Sequence, residues 1–203
     1  MEDTYKSISK PTEGLFKDKG SKFISYAYPV SSEDQIREIV LNLKKEHHSA
    51  RHHCYAWRLG PDKLIFRAND DGEPSSTAGK PILGQIQSHE LTNILIVVVR
   101  YFGGTLLGVS GLINAYKNAA QDAINQAEII EEIVEQKLII EFGYGVINDV
   151  MKVFKDEKLP QSDSVFDLEC RISTQIRITE LNRISESLKK IEGLTLRFLE
   201  ESN

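Results

Sequence analysis

Two rhythms of hydrophobic and polar positions run along this chain, one of period near 3.6 and one strand-like, and the changes between them mark its elements. Residues 22–30 (KFISYAYPV) are apolar and aromatic and predict a strand. Ser31 or Ser32 supplies an N-cap, with Glu33 and Asp34 in the first turn. Ile36, Ile39, Val40 and Leu43 then share one face of a helix that runs to about residue 47. Residues 53–59 and 63–67 predict a hairpin turned through Gly60-Pro61-Asp62. Residues 78–90 predict a helix with Pro81 in its first turn. The unbroken run ILIVVVRY at 94–101 predicts a strand covered on both faces. After Gly108, Val109, Leu112, Ile113, Tyr116, Ala120, Ala123, Ile124 and Ala127 mark one face of the clearest helix. Its small residues suit close approach to a sheet.

Further on, the pattern reads strand (136–142), helix (146–155), strand (160–166), strand (168–178), helix (180–190) and strand (194–199), with Gly193 at the last helix exit. That βαββαβ order is the ferredoxin-like split arrangement. The fold class is therefore α+β with two domains, residues 1–132 and 133–203, joined around residues 131–135.

Composition narrows the setting. A chain of 203 residues, 40% hydrophobic, can bury two small cores. No apolar run approaches the ~20 residues of a membrane span. MEDTYKSISK lacks a signal-peptide core, and Cys54 and Cys170 form no disulfide framework. A cytoplasmic protein with reduced thiols and no membrane partner is expected. The net charge of −5 lies wholly in residues 131–203, which carry 10 basic and 15 acidic side chains. An acidic second domain points to a basic protein partner. It argues against a broadly electrostatic nucleic-acid surface, but leaves room for a local basic face on the first domain.

The chemistry concentrates in residues 69–111. Asp70, Asp71 and Glu73 stand within four positions around an Asp-Gly turn, followed by Ser75, Ser76, Thr77 and Lys80 at a predicted helix start. One reading is a metal–phosphate or anion site. Carboxylates would hold a hard cation such as Mg²⁺ or a basic partner, while hydroxyls, free amides and Lys80 meet phosphate. The other reading is a solvated turn and an ordinary cap. Arg100 ends an apolar strand and needs a partner: Asp70, Asp71 or a ligand anion. Gly103 and Gly108 have the outer spacing of a P-loop, but Val109 stands where its Lys is required. The loop containing Gly103 and Gly104 and the polar loop of Gly20, Ser21 and Lys22 are candidate anion contacts.

His47, His48, His52, His53 and Cys54 lack a C-x-x-C partner set, so no zinc centre is expected; the weak metal candidates are Asp70 and Asp71. Neighbouring His53 and Cys54 point to opposite faces of a strand and cannot form a nucleophile–base pair. Tyr26, Tyr28, Tyr55 and Trp57 are read as core of one sheet face.

These residues resemble the IMPACT family, whose bacterial members are YigZ-type proteins. Asp70-Asp71-Gly72-Glu73-Pro74-Ser75 and Thr77-Ala78-Gly79 match its acidic turn. Gly79, Ile82-Leu83, Ile86, Leu91, Val97-Val98, Arg100-Tyr101-Phe102-Gly103-Gly104, Leu107 and Gly108 sit at the spacing of its signature. Gly20-Ser21-Lys22-Phe23 and Cys54-Tyr55-Ala56 match two shorter blocks. The likeness implies a ribosomal protein S5 domain 2-like first domain and a second domain similar to late domains of elongation factor G. Its eukaryotic relatives regulate translation initiation under stress by competing for the activator of an initiation-factor kinase. Ser76 replaces the family's usual Gly, which matters if that backbone takes positive φ.

The expected function is a non-enzymatic, translation-associated binding and regulatory module contacting RNA, the ribosome or a translation regulator. The alternative is a Mg²⁺-dependent phosphoryl- or nucleotide-handling enzyme, with Asp70, Asp71 or Glu73 on the metal and Lys80 and Arg100 on phosphate. Both readings need the loops at 20–22, 70–80 and 100–108 to meet in one pocket where Asp71, Lys80 and Arg100 coexist with bare backbone amides.

Overall fold

The computed structural model describes residues 3–199. They fall into two compact units, residues 5–132 and residues 3–4 with 133–199. The first unit runs β1 (Thr4–Ile8), β2 (Thr12–Asp18), β3 (Ser21–Pro29), α1 (Glu33–Glu46), β4 (His52–Leu59), β5 (Ile65–Asn69), α2 (Gly79–Ser88), β6 (Ile94–Tyr101), α3 (Gly108–Asn125) and β7 (Ile129–Ile133). Five strands form an antiparallel sheet in the order β2-β3-β6-β4-β5.

The β-branched run of β6 lies at the centre of the sheet, where its apolar side chains are buried on both faces. Ile94, Ile96 and Val98 pack beneath α2 and α3; Leu95, Val97 and Val99 pack with α1. Each such side chain, fully buried, contributes roughly 1.5–3 kcal/mol. Ser32 caps α1 by accepting the Gln35 amide, and Ile36, Val40 and Leu43 form its buried stripe. Tyr26 and Trp57 lie in the α1-side core, with Tyr28 and Tyr55 against it. On the other face, Ala115, Ala119, Ala120 and Ala123 let α3 sit tightly on the sheet. A Cβ on Gly14 would run into the Ala123 backbone, and the Ser25 hydroxyl donates to the Ala119 carbonyl at 2.6 Å.

Strands β1, β2 and β7 carry no clear apolar alternation and were not expected. The first and last of these pair in a two-stranded sheet, while β2 is an edge strand whose ladder to β3 fixes it. On α3, Val109 and Ile113 belong to the predicted apolar stripe, yet both are exposed, and the turn of Val109 fronts a cavity.

The second unit runs β8 (Glu135–Gly143), a short 3₁₀ turn, α4 (Ile147–Asp156), β9 (Ser162–Val165), β10 (Glu169–Arg177), α5 (Leu181–Lys189) and β11 (Thr195–Leu199). Its antiparallel sheet has the order β11-β8-β10-β9. Val150 and Phe154 of α4, with Ile184 and Leu188 of α5, share a core with Leu138, Ile140, Phe142, Ile172 and Ile176 on one sheet face. This is the ferredoxin-like βαββαβ arrangement, and the fold is α+β. Among the described residues no helix is long and apolar enough to cross a membrane.

Candidate functional site

The acidic turn leaves β5 and enters α2 through three residues at positive φ, Asp71, Gly72 and Ser76. Asp70 holds this path from inside. Its Oδ2 accepts the Ser76 amide at 2.8 Å, and its Oδ1 accepts the amides of Ala78 at 3.0 Å and Gly79 at 2.8 Å. The amides expected to be bare at the start of α2 are thus occupied by the protein's own carboxylate. Thr77 is buried, its hydroxyl donating to the Pro74 carbonyl, while Ser75 lies exposed.

Asp71 turns towards α1. Its carboxylate accepts from the His53 amide at 2.7 Å and from the Lys44 ammonium at 2.8 Å. Burial alone would raise its pKa, but the Lys44 and His53 hydrogen bonds outweigh that effect and hold it below the usual aspartate value. Burial also lowers His53 below the ordinary imidazole value, with the Asp71 charge in opposition. Lys80 is exposed and has no ion pair among the described residues. The expectation that Asp71, Lys80 and Arg100 share a pocket is therefore corrected: Asp71 joins Lys44, and neither Asp71 nor Lys80 lines the cavity beside Arg100.

Arg100 finds Glu73, not Asp70 or Asp71. Its Nη1 donates to Glu73 Oε1 at 2.6 Å, and both side chains are buried. The Tyr116 hydroxyl donates to the same oxygen at 2.8 Å. Cys54 Sγ lies 3.3 Å from that hydroxyl and 2.9 Å from the Asp70 carbonyl. Burial pushes both the Cys54 thiol and the Tyr116 phenol upward, so neither is an activated nucleophile. The Arg100 guanidinium also lies over the Phe23 and Phe102 rings, 5.5 and 5.6 Å from their centroids. Its Nε has no hydrogen-bond partner.

The loop after β6, which meets the acidic turn through Arg100 and Glu73, also meets the loop at 20–22. The Gly103 amide donates to Ser21 Oγ at 3.1 Å, and a Cβ on Gly103 would run into the Gly20 backbone. Lys22 is excluded by strand alternation: it lies with Glu13, Ile24 and Tyr26 on the opposite sheet face. Beyond Gly104, at φ 87°, the chain passes Leu106 and enters α3.

A cavity of about 500 Å³ opens between the acidic turn and this loop. Arg51, His52, Glu73 and Arg100 form its polar end; Phe102, Leu106, Leu107, Val109 and Leu112 form its apolar wall. Phe102, Leu106 and Val109 are 53%, 83% and 60% exposed. Arg51, His52, Leu106 and Val109 were not singled out as a site from sequence. The available signal was an aliphatic pair, Leu106-Leu107, inside a glycine loop, of which Leu107 joins the core and Leu106 is left facing solvent. Among the described residues no group of three His, Cys, Asp or Glu side chains could hold a metal.

A model of the Impact N-terminal domain matches residues 19–124. An IMPACT family member from Haemophilus influenzae is 43% identical over 137 residues, 66% of this chain and 66% of its own. IMPACT family member YvyE from Bacillus subtilis is 29% identical over 191 residues, 94% of this chain and 88% of its own. A crystal structure described only as a hypothetical protein covers 100% of both chains at 27% identity, with a TM-score of 0.74.

Proposed function

The chain belongs to the IMPACT family, and from that membership we propose that it is a translation-associated binding and regulatory module. It contacts RNA, the ribosome or a translation regulator through the first domain. The family likeness supports the setting, because the resemblance implies that eukaryotic relatives regulate translation initiation.

One observation carries the placement of the contact. The signature residues Glu73, Arg100, Phe102 and Leu107 border a single cavity, where Phe102, Leu106 and Val109 stay open to solvent beside Arg51. Large apolar side chains grouped next to a cation mark an interaction surface.

The Mg²⁺-dependent reading has less behind it. Asp70, Asp71 and Glu73 are each engaged by protein donors, and metal binding there would require them to release these partners.

Co-sedimentation with ribosomes at low salt tests the proposal, alongside capture of proteins from lysate with and without nuclease. Wild-type protein is expected to pellet or capture a translation component. The variant Leu106→Asp, altered at a solvent-facing position, is expected to lose this by tenfold or so. A wild-type protein that finds neither ribosome, RNA nor translation protein removes the proposal.

A further inference from the structure

The two helix starts near the cavity differ. Asp70 closes the start of α2 from within, whereas no side chain caps α3 at Leu107, beside the cavity. The first-turn amides of a helix attract a carboxylate when one can reach them. A second feature is independent of that helix. Arg100, only 6% exposed and lining the cavity, keeps Nε without a hydrogen-bond partner. Arg51 at the rim has no ion pair among the described residues. His52 Nδ1 donates to the Asp71 carbonyl, so its Nε2 is the acceptor in the neutral ring.

Charge and shape together select the occupant. Glu73 cancels Arg100, which leaves the lining with one net positive charge, from Arg51. That suits a single anion and is too little for a phosphate chain. The wall is aliphatic apart from Phe102, so it offers no succession of rings on which bases could stack. A volume of about 500 Å³ fits a small ligand or one to two residues.

We infer that this cavity receives the C-terminal residue of a partner protein. Its apolar side chain packs on Phe102, Leu106 and Val109, and its carboxylate meets Arg51 and the α3 amides. Capture of a chain end by backbone amides is an established recognition mode. The inference rests on the binding-module reading and narrows its partner to a protein.

Methyl-resolved NMR on the full chain tests it. N-acetyl-phenylalanine serves as the minimal chain end, N-acetyl-phenylalanine amide as its uncharged match, and a uridine decamer as the nucleic-acid arm. The acid is expected to shift the methyls of Leu106, Leu107, Val109 and Leu112, binding about tenfold more tightly than the amide. Arg51→Ala should bring the acid down to the level of the amide, while Leu106→Asp should abolish the shifts; both positions are exposed, so the fold survives. No shift with the acid, or equal binding of acid and amide, overturns the inference. So does displacement of the acid by the decamer, which would leave the proposed function intact. Conversely, chain-end binding by a protein that captures no translation component from lysate would uphold the cavity assignment and remove the proposed function.

Discussion

Ser76 shows how much one residue can carry. Its φ of 65° lies in the left-handed region, where an L side chain costs about 1–2 kcal/mol. Asp70 holds it there by accepting its amide at 2.8 Å, because that amide must point inward with those of Ala78 and Gly79. Ser76→Gly is therefore expected to raise stability by about 1 kcal/mol, discounted for the freer unfolded glycine. Urea unfolding would show a higher midpoint at unchanged slope; a lower midpoint would mean that the serine hydroxyl stabilises the turn. The sequence flagged this position through its departure from the family pattern. It did not show that Asp70 is a cap rather than a ligand, because that depends on φ values at Asp71 and Gly72, which turn the carboxylate inward. Likewise, Arg100 was recognisable as needing an anion. Its choice of Glu73 followed from the way the turn folds Glu73 beneath α3, next to Tyr116.

At the scale of elements, glycines separate contact from convenience. Gly103 lies where the loop after β6 crosses the loop before β3, backbone against backbone. Gly103→Ala should cost about 3 kcal/mol or more, since neither chain can give way as a flexible side chain would. Gly84 in α2 has open space around it, and Gly84→Ala should instead gain about 0.5–1 kcal/mol from helix propensity. Thermal melts of the two variants should move in opposite directions; a neutral Gly103→Ala would show that the loops do not touch. The elements with strong periodicity, α1, β6 and α3, are read from sequence because their own side chains dictate burial. The strands β1, β2 and β7 escape that reading because cross-strand hydrogen bonds, not local pattern, define them.

For the whole molecule, the apolar residues sort into separate cores. Two clusters flank the five-stranded sheet, and a third lies under α4 and α5, sharing no residue with the others. Scanning calorimetry should therefore resolve two unfolding transitions; a single one with matching calorimetric and van't Hoff enthalpies would show that the units unfold together. The amino-acid order alone determined the α+β class, the βαββαβ order of the second unit and the concentration of chemistry between residues 69 and 111, since periodicity and turn residues act locally. Only tertiary structure decided which groups meet. It sent Asp71 to Lys44, Glu73 to Arg100 and Asp70 to the start of α2, and it set Arg51 and His52 beside Phe102 and Leu106. Those pairings depend on strand register and backbone dihedrals that bring together residues up to dozens of positions apart, and no local pattern encodes them.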